Sequence, residues 1–215
     1  MAQQGKIFGI GYAKTATSSL GKALEILGYR CIHDPYGMLP AIFPEALADF
    51  PKNPAILNDH DAFAGVVGLA FRELDQACPD SKFILTVRDE DKWLASIRGH
   101  LHPKSKATLM DTRIPLQPFV RTRMFNGHLW FEDEFADDYR QAFRDHNRDV
   151  IDYFRGRDNL LVMDVEKDAS WDTLCRFLGV EIPSTPFPWK NKRDWRRSLR
   201  RKSKYWKSKI GLSGK

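Results

Sequence analysis

Lys14, Thr15, Thr17, Ser18 and Ser19 stand together in IFGIGYAKTATSSL, residues 7–20. They place one cation and four hydroxyls within six positions. Before them runs an apolar stretch broken by Gly9 and Gly11; after them Leu20, Ala23, Leu24 and Leu27 recur at helical spacing. A strand that passes through glycine into a helix N-terminus gathers unpaired backbone N–H groups at the positive end of the helix dipole. Gly11, Tyr12, Ala13, Lys14, Thr15, Ala16, Thr17, Ser18 and Ser19 therefore make a candidate cradle for phosphate or sulfate. The same residues also read as a tight turn with an exposed Lys and a Ser/Thr cap. Two nucleotide motifs are excluded: a Walker A loop needs glycine before its lysine, where this chain has Ala13, and a dinucleotide fingerprint needs glycine at position 14.

A second pair capable of anion chemistry lies in KFILTVRDEDKWLASI, where Arg88 ends an apolar run and Ser96 follows eight residues later. The guanidinium fork suits a phosphate, and a serine about two helical turns beyond it can face the same cleft. Candidate proton acceptors are His33 and Asp34 in YRCIHDP, and Asp59, His60 and Asp61 in NDHD. HLH at 100–102 has two imidazoles but no clear third metal ligand. NKRD at 191–194 matches a guanine-recognition tetrapeptide yet follows a proline-rich stretch rather than a strand, so it carries no nucleotide reading.

These groups need a frame. KIFGIG (6–11), YRCIHDP (29–35), KFILTV (82–87) and NLLVMDV (159–165) read as strands. Helices are expected after the first turn up to Gly28, from Asp61 through FRELDQACP, over DEDKWLASIRG, along Phe135 to Phe154, and over SWDTLCRFLG with Ser170 as N-cap and Gly179 as stop. Residues 36–60 form a connection with a short helix near PEALADF, and 100–131 an excursion over one face. Alternating β and α elements without repeats predict a three-layer α/β/α domain around a mostly parallel sheet. Ligands in such sheets bind at the carboxyl ends of the strands. Here those ends are Gly11 to Lys14, His33 and Asp34, Arg88, and Asp164 to Glu166.

The apolar runs are strand-sized, too short to span a bilayer, and the N-terminus lacks a secretory pattern, so the expected location is the cytoplasm. Cys31, Cys78 and Cys175 are widely spaced and read as reduced core thiols. Residues 190–215 hold 12 of the 34 Lys and Arg against Asp194 alone of the 28 acids, which leaves 22 bases and 27 acids, a net −5, for residues 1–189. The chain is thus read as an acidic catalytic body, 1–189, and a basic tail, 190–215. Trp195, Leu199, Trp206 and Ile210 fall near one helical face of the tail. Three uses are open to it: peripheral contact with an anionic membrane, recruitment of an acidic acceptor, or packing on the body.

With Lys14, Thr15, Thr17, Ser18, Ser19 and Leu20 in place, the opening turn resembles the 5′-phosphosulfate loop of sulfotransferases, K-[TS]-G-T-[TS]-[TS]-L. Arg88 and Ser96 match that family's 3′-phosphate pair. ILTVRDEDKWLAS and SWDTLCRFLGVEIPSTPFPWKN resemble the small stand-alone branch, so the likeness runs from about residue 7 to 191. It implies a P-loop-like α/β fold, 3′-phosphoadenosine 5′-phosphosulfate (PAPS) as donor, adenosine 3′,5′-bisphosphate (PAP) as product and no metal. Lys14 would carry most of the charge stabilisation. Ala16 stands where the family has glycine, an exchange expected to be mild. The acid expected in a D-x-P pattern is missing, because DAFAGVVG puts Gly65 and Val67 there. His33 is the first substitute as general base and Asp61 the second. Small-molecule, glycan and lipid acceptors fit equally, and under this reading no nucleic-acid partner is expected; the competing readings are a P-loop-type nucleotide kinase and a phosphate- or nucleic-acid-binding protein.

Overall fold

The computed structural model describes residues 5–35, 38–43, 55–101, 117–128, 130–164, 166–167 and 170–189. Their elements run β1 (Ile7–Gly9), α1 (Thr17–Ile26), β2 (Cys31–His33), α2 (Leu39–Ile42), α3 (Ala55–Asp59), β3 (Ala62–Ala64), a 3₁₀ turn (Val66–Ala70), α4 (Phe71–Ala77), β4 (Lys82–Val87), α5 (Glu90–His100), α6 (Gln117–Met124), a 3₁₀ turn (Asp133–Phe135), α7 (Ala136–Tyr153), β5 (Leu160–Asp164) and α8 (Trp171–Leu178). The basic tail and the PEALADF helix lie outside the described residues.

Five parallel strands form one sheet in the order β2-β3-β1-β4-β5. The expected frame of four strands thus lacked one member, β3, which lies where a helix was expected from Asp61. Its three residues, Ala-Phe-Ala, are wholly buried, so they show no alternation between water and core, and alanine has little preference for strands. β4, by contrast, offers six residues with four buried in succession.

Strand side chains separate into two cores. Ile7, Ala62, Ile84 and Met163 pack under Leu20, Ala23 and Leu24 of α1 and Trp171, Leu174 and Leu178 of α8. Phe8, Phe63, Phe83 and Leu85 face the other way, against Phe71 and Leu74 of α4 and Val150 and Phe154 on and just after α7. Register aligns Phe63, Phe8 and Phe83 across three strands, with ring centroids 5.2 and 5.4 Å apart. Such a stack rewards correct pairing, since a slip of one residue would turn each ring to the opposite face.

From β1 the chain passes through α1 to β2 on one side, and from β3 through α4 back to β4 on the other. β1 is therefore the point where the strand order reverses, and the crevice at its carboxyl end is where an open α/β sheet presents a ligand site. A third apolar cluster closes that end: Tyr12, Leu39, Val66, Trp93, Ile97, Met124, Phe125, Tyr139 and Phe143 are all buried. Glu90 bonds Arg140 and Arg144 at 2.7 Å, fastening the start of α5 to α7. Those hydrogen bonds hold its carboxyl near 2.

The three cysteines are free, and burial pushes the Cys31 thiol up to about 12. Among the described residues no helix is long and apolar enough to cross a membrane.

Candidate functional site

The loop between β1 and α1 is clamped by its carbonyls. His146 Nε2 donates to Ile10 O (2.9 Å), Thr15 Oγ1 to Tyr12 O (2.6 Å), Trp93 Nε1 to Ala13 O (2.8 Å) and Arg88 Nη1 to Lys14 O (3.3 Å). Carbonyl and N–H of one trans peptide plane point opposite ways, so the N–H of Lys14 faces away from Trp93 and that of Ala13 away from Thr15. Lys14 (φ 70) and Ala16 (φ 72) are both left-handed, and alternation of such residues makes the concave backbone that receives anions. α1 begins after Ala16 with no side-chain cap and no acid in its first turn, which leaves its positive end uncompensated.

Gly11 is fixed by space. A Cβ there would lie 1.8 Å from Thr86 Oγ1 and 2.7 Å from Thr86 O, so β1 approaches β4 more closely than any other residue permits. Thr86 uses that approach to reach Thr15 Oγ1 at 2.7 Å.

The structure brings Lys14, Arg88 and His33 to this one end of the sheet, and it redistributes the expected roles around them. Tyr12, 4% exposed, is packed by Trp93, Phe125, Phe143 and His146, and burial pushes its phenol upward; only its backbone can meet a ligand. Thr15 is buried with its hydroxyl engaged inside the loop, and Ser19 is buried as well. Ser18 is half-buried, and its hydroxyl lies 3.2 Å from His33 Nε2, as does that of Thr17. Ser96 is half-buried on α5 one turn after Trp93, on the helix face that meets the loop.

Arg88 follows β4 and is shared between two partners. Beyond its bond to Lys14 O, its Nη2 lies 2.6 Å from Glu166 Oε1, while Glu166 Oε2 lies 3.0 Å from Lys92 Nζ. Its Nε is buried and without a hydrogen-bond partner among the described residues. An unmet buried N–H costs about 1–3 kcal/mol, which an oxyanion in the crevice would recover.

Asp61 is not part of this site. It precedes β3 at the opposite end of the sheet, where its carbonyl accepts from Ile7 N, and four residues of extended chain, about 13 Å, separate it from Gly65. Arg30 grips its carboxylate at 2.8 and 2.9 Å and holds it near 2, well below the range of a base. His60 shares that end, its ring bonded back to Ile56 O and its carbonyl to Lys6. His100 ends α5 exposed, and His102 and NKRD lie outside the described residues.

Ala16 corrects a further expectation. The exchange for glycine is mild in volume but not in backbone, because φ 72 is the region a Cβ disfavours by about 1–2 kcal/mol. Ala16→Gly is expected to stabilise the protein by about 1 kcal/mol, a rise of about 2–4 °C in Tm by calorimetry. A lower Tm would mean that the strain is not stored there.

Trp93 stood within ILTVRDEDKWLAS, but two other residues that hold the loop carried little signal of their own: Thr86 reads as strand and His146 as part of a helix. The last had a faint one, since His146 falls between Phe143 and Val150 on the apolar stripe of α7. Burial lowers its pKa and keeps it neutral, as a donor from Nε2 to Ile10 O.

A sulfotransferase-domain family profile matches residues 6–195. Among solved structures, a sulfotransferase from Alicyclobacillus acidocaldarius superposes with a TM-score of 0.55 at 20% identity, covering 92% of this chain and 90% of that one. No curated protein matches in sequence. The likeness of fold is independent of close sequence identity, and the profile spans the loop, Arg88 and the whole sheet: the chain belongs to the sulfotransferase family.

Proposed function

We propose that this protein moves a sulfuryl group from PAPS to a hydroxyl or amine. The observation that carries the reading is the docking of Arg88 on the carbonyl of Lys14, with its Nε left over. It unites a guanidinium and a lysine-bearing anion loop, which a donor phosphorylated at both 3′ and 5′ positions requires.

The loop amides, Lys14 and Ser18 hold the 5′-phosphosulfate, while Arg88 and Ser96 hold the 3′-phosphate. The acceptor oxygen or nitrogen attacks sulfur in line. As its bond to sulfur forms, the bond from sulfur to the bridging phosphate oxygen breaks, the electron pair stays on that oxygen, and PAP departs. Lys14 and the start of α1 offset the charge gathering there. His33, at the end of β2 and 3.2 Å from two hydroxyls of the first turn of α1, takes the acceptor's proton on Nε2 and passes it to solvent.

The acceptor enters beside Phe43 and Phe119, whose rings are 5.8 Å apart with the Arg123 guanidinium 5.2 Å from Phe43. These residues come from the two segments without sequence motifs, and both rings pack on the cluster that includes Tyr12.

Calorimetric titration with PAP, 5′-AMP and ATP tests the donor. PAP is expected to bind at least about 10-fold more tightly than either of the others, the value of one charge-assisted phosphate clamp. Equal or tighter binding of ATP would instead support a nucleotide kinase.

A further inference from the structure

Position 65, at the carboxyl end of β3, is a glycine at φ 93, and the space its side chain would fill is already occupied. A Cβ built there lies 2.0 Å from Oδ1 of Asp34. Asp34 enters from the end of β2 in a left-handed conformation, φ 55, which a short polar side chain tolerates. Its own N–H donates to Ala64 O at 2.8 Å, so the two strand ends are stitched together.

The two carboxylate oxygens of Asp34 have separate partners. Oδ1 accepts from Val66 N at 3.1 Å, at the start of the 3₁₀ turn. Oδ2 lies 3.0 Å from Nδ1 of His33, on the side of the ring opposite the α1 hydroxyls. A cap on Val66 needs only one oxygen. The second is directed at the imidazole, and a carboxylate can only accept there, so Nδ1 must carry hydrogen, and in the neutral ring Nε2 then holds the lone pair.

We propose that Asp34 is a positioning residue for His33: it fixes the tautomer and ring orientation that aim a basic Nε2 at the first turn of α1, and it stabilises the imidazolium formed when the acceptor's proton arrives. This rests on the reading of His33 as the base. Gly65 belongs to the same device, since any larger residue there would displace the carboxylate.

Asp34→Asn separates orientation from structure. Its amide oxygen still caps Val66, but its NH₂ meets Nδ1 as a donor and drives the ring to the Nε2–H form. The full chain with ¹⁵N-labelled histidine is examined by NMR, the His33 signals being assigned by their loss in His33→Gln. Neutral His33 is expected as the Nδ1–H tautomer in the native protein and as Nε2–H in Asp34→Asn. Turnover of PAPS with a panel of phenols, sugars and amines is expected to fall about 100-fold in Asp34→Asn, with PAP affinity unchanged. His33→Gln combined with Asp34→Asn is expected to be no slower than His33→Gln alone. An Nε2–H tautomer in the native protein, an unaltered His33 spectrum in Asp34→Asn, or multiplicative losses in the double variant would each overturn the proposal. The native tautomer decides the matter even if Asp34→Asn folds poorly. Failure of the native protein to bind PAP would instead overturn the donor reading, whatever the state of His33.

Discussion

Replacing Lys14 by methionine is expected to lower sulfuryl transfer about 1,000-fold while weakening PAP binding about 10-fold or less. The two figures differ because a lysine charge matters most where charge develops. The bridging oxygen gains charge as its bond to sulfur breaks, so the lysine is worth more in the transition state than in the ground state. Methionine keeps an unbranched, flexible side chain, one atom shorter and without the charge, and leaves the carbonyl that Arg88 grips. Rates from radiolabelled PAPS, set beside calorimetric affinities for PAP, separate the two effects. Turnover within 10-fold of the native rate would remove Lys14 from the mechanism.

Arg88→Ala is expected to weaken PAP binding about 30-fold and to leave 5′-AMP binding nearly unchanged. Without the guanidinium the 3′-phosphate loses its fork, while the loop retains the 5′-phosphate. Glu166 keeps Lys92 as a partner at 3.0 Å, so the variant does not strand a lone carboxylate. Arg88→Lys is expected to recover only part of the loss, because an ammonium cannot reproduce two parallel N–H donors. Equal losses for both nucleotides would show that Arg88 supports the loop rather than reading the 3′ position.

Lys14 and Arg88 were legible in the sequence because they stand at the ends of strands whose apolar runs are long enough to recognise. Asp61 was misread for a related reason. Read as the start of a helix, it had no strand to place it; once β3 is seen to begin at Ala62, Asp61 lies just before that strand, at the end of the sheet away from Lys14 and Arg88. One unrecognised three-residue strand therefore left a candidate base without a place in the sheet. It also hid the neighbour of β2, and with it the pairing that brings Asp34 into the space beside Gly65. Helix ends fared better where a side chain makes them: Ser170 caps α8 and Gly179, at φ 74, stops it. The conformations of Lys14 and Ala16 were not legible, since a left-handed residue other than glycine is imposed by its surroundings and not by its own preference.

The carbonyl clamp on the opening loop has a kinetic corollary. Donors from α5, α7 and the chain around the end of β4 hold the loop in its left-handed form before any nucleotide arrives. Ordering entropy that a mobile loop would surrender at each encounter has been surrendered once, at folding. Under the proposed PAPS chemistry, PAP is expected to enter and leave without reshaping its cradle, and the pace of turnover to be set by what moves on the acceptor's side of the crevice.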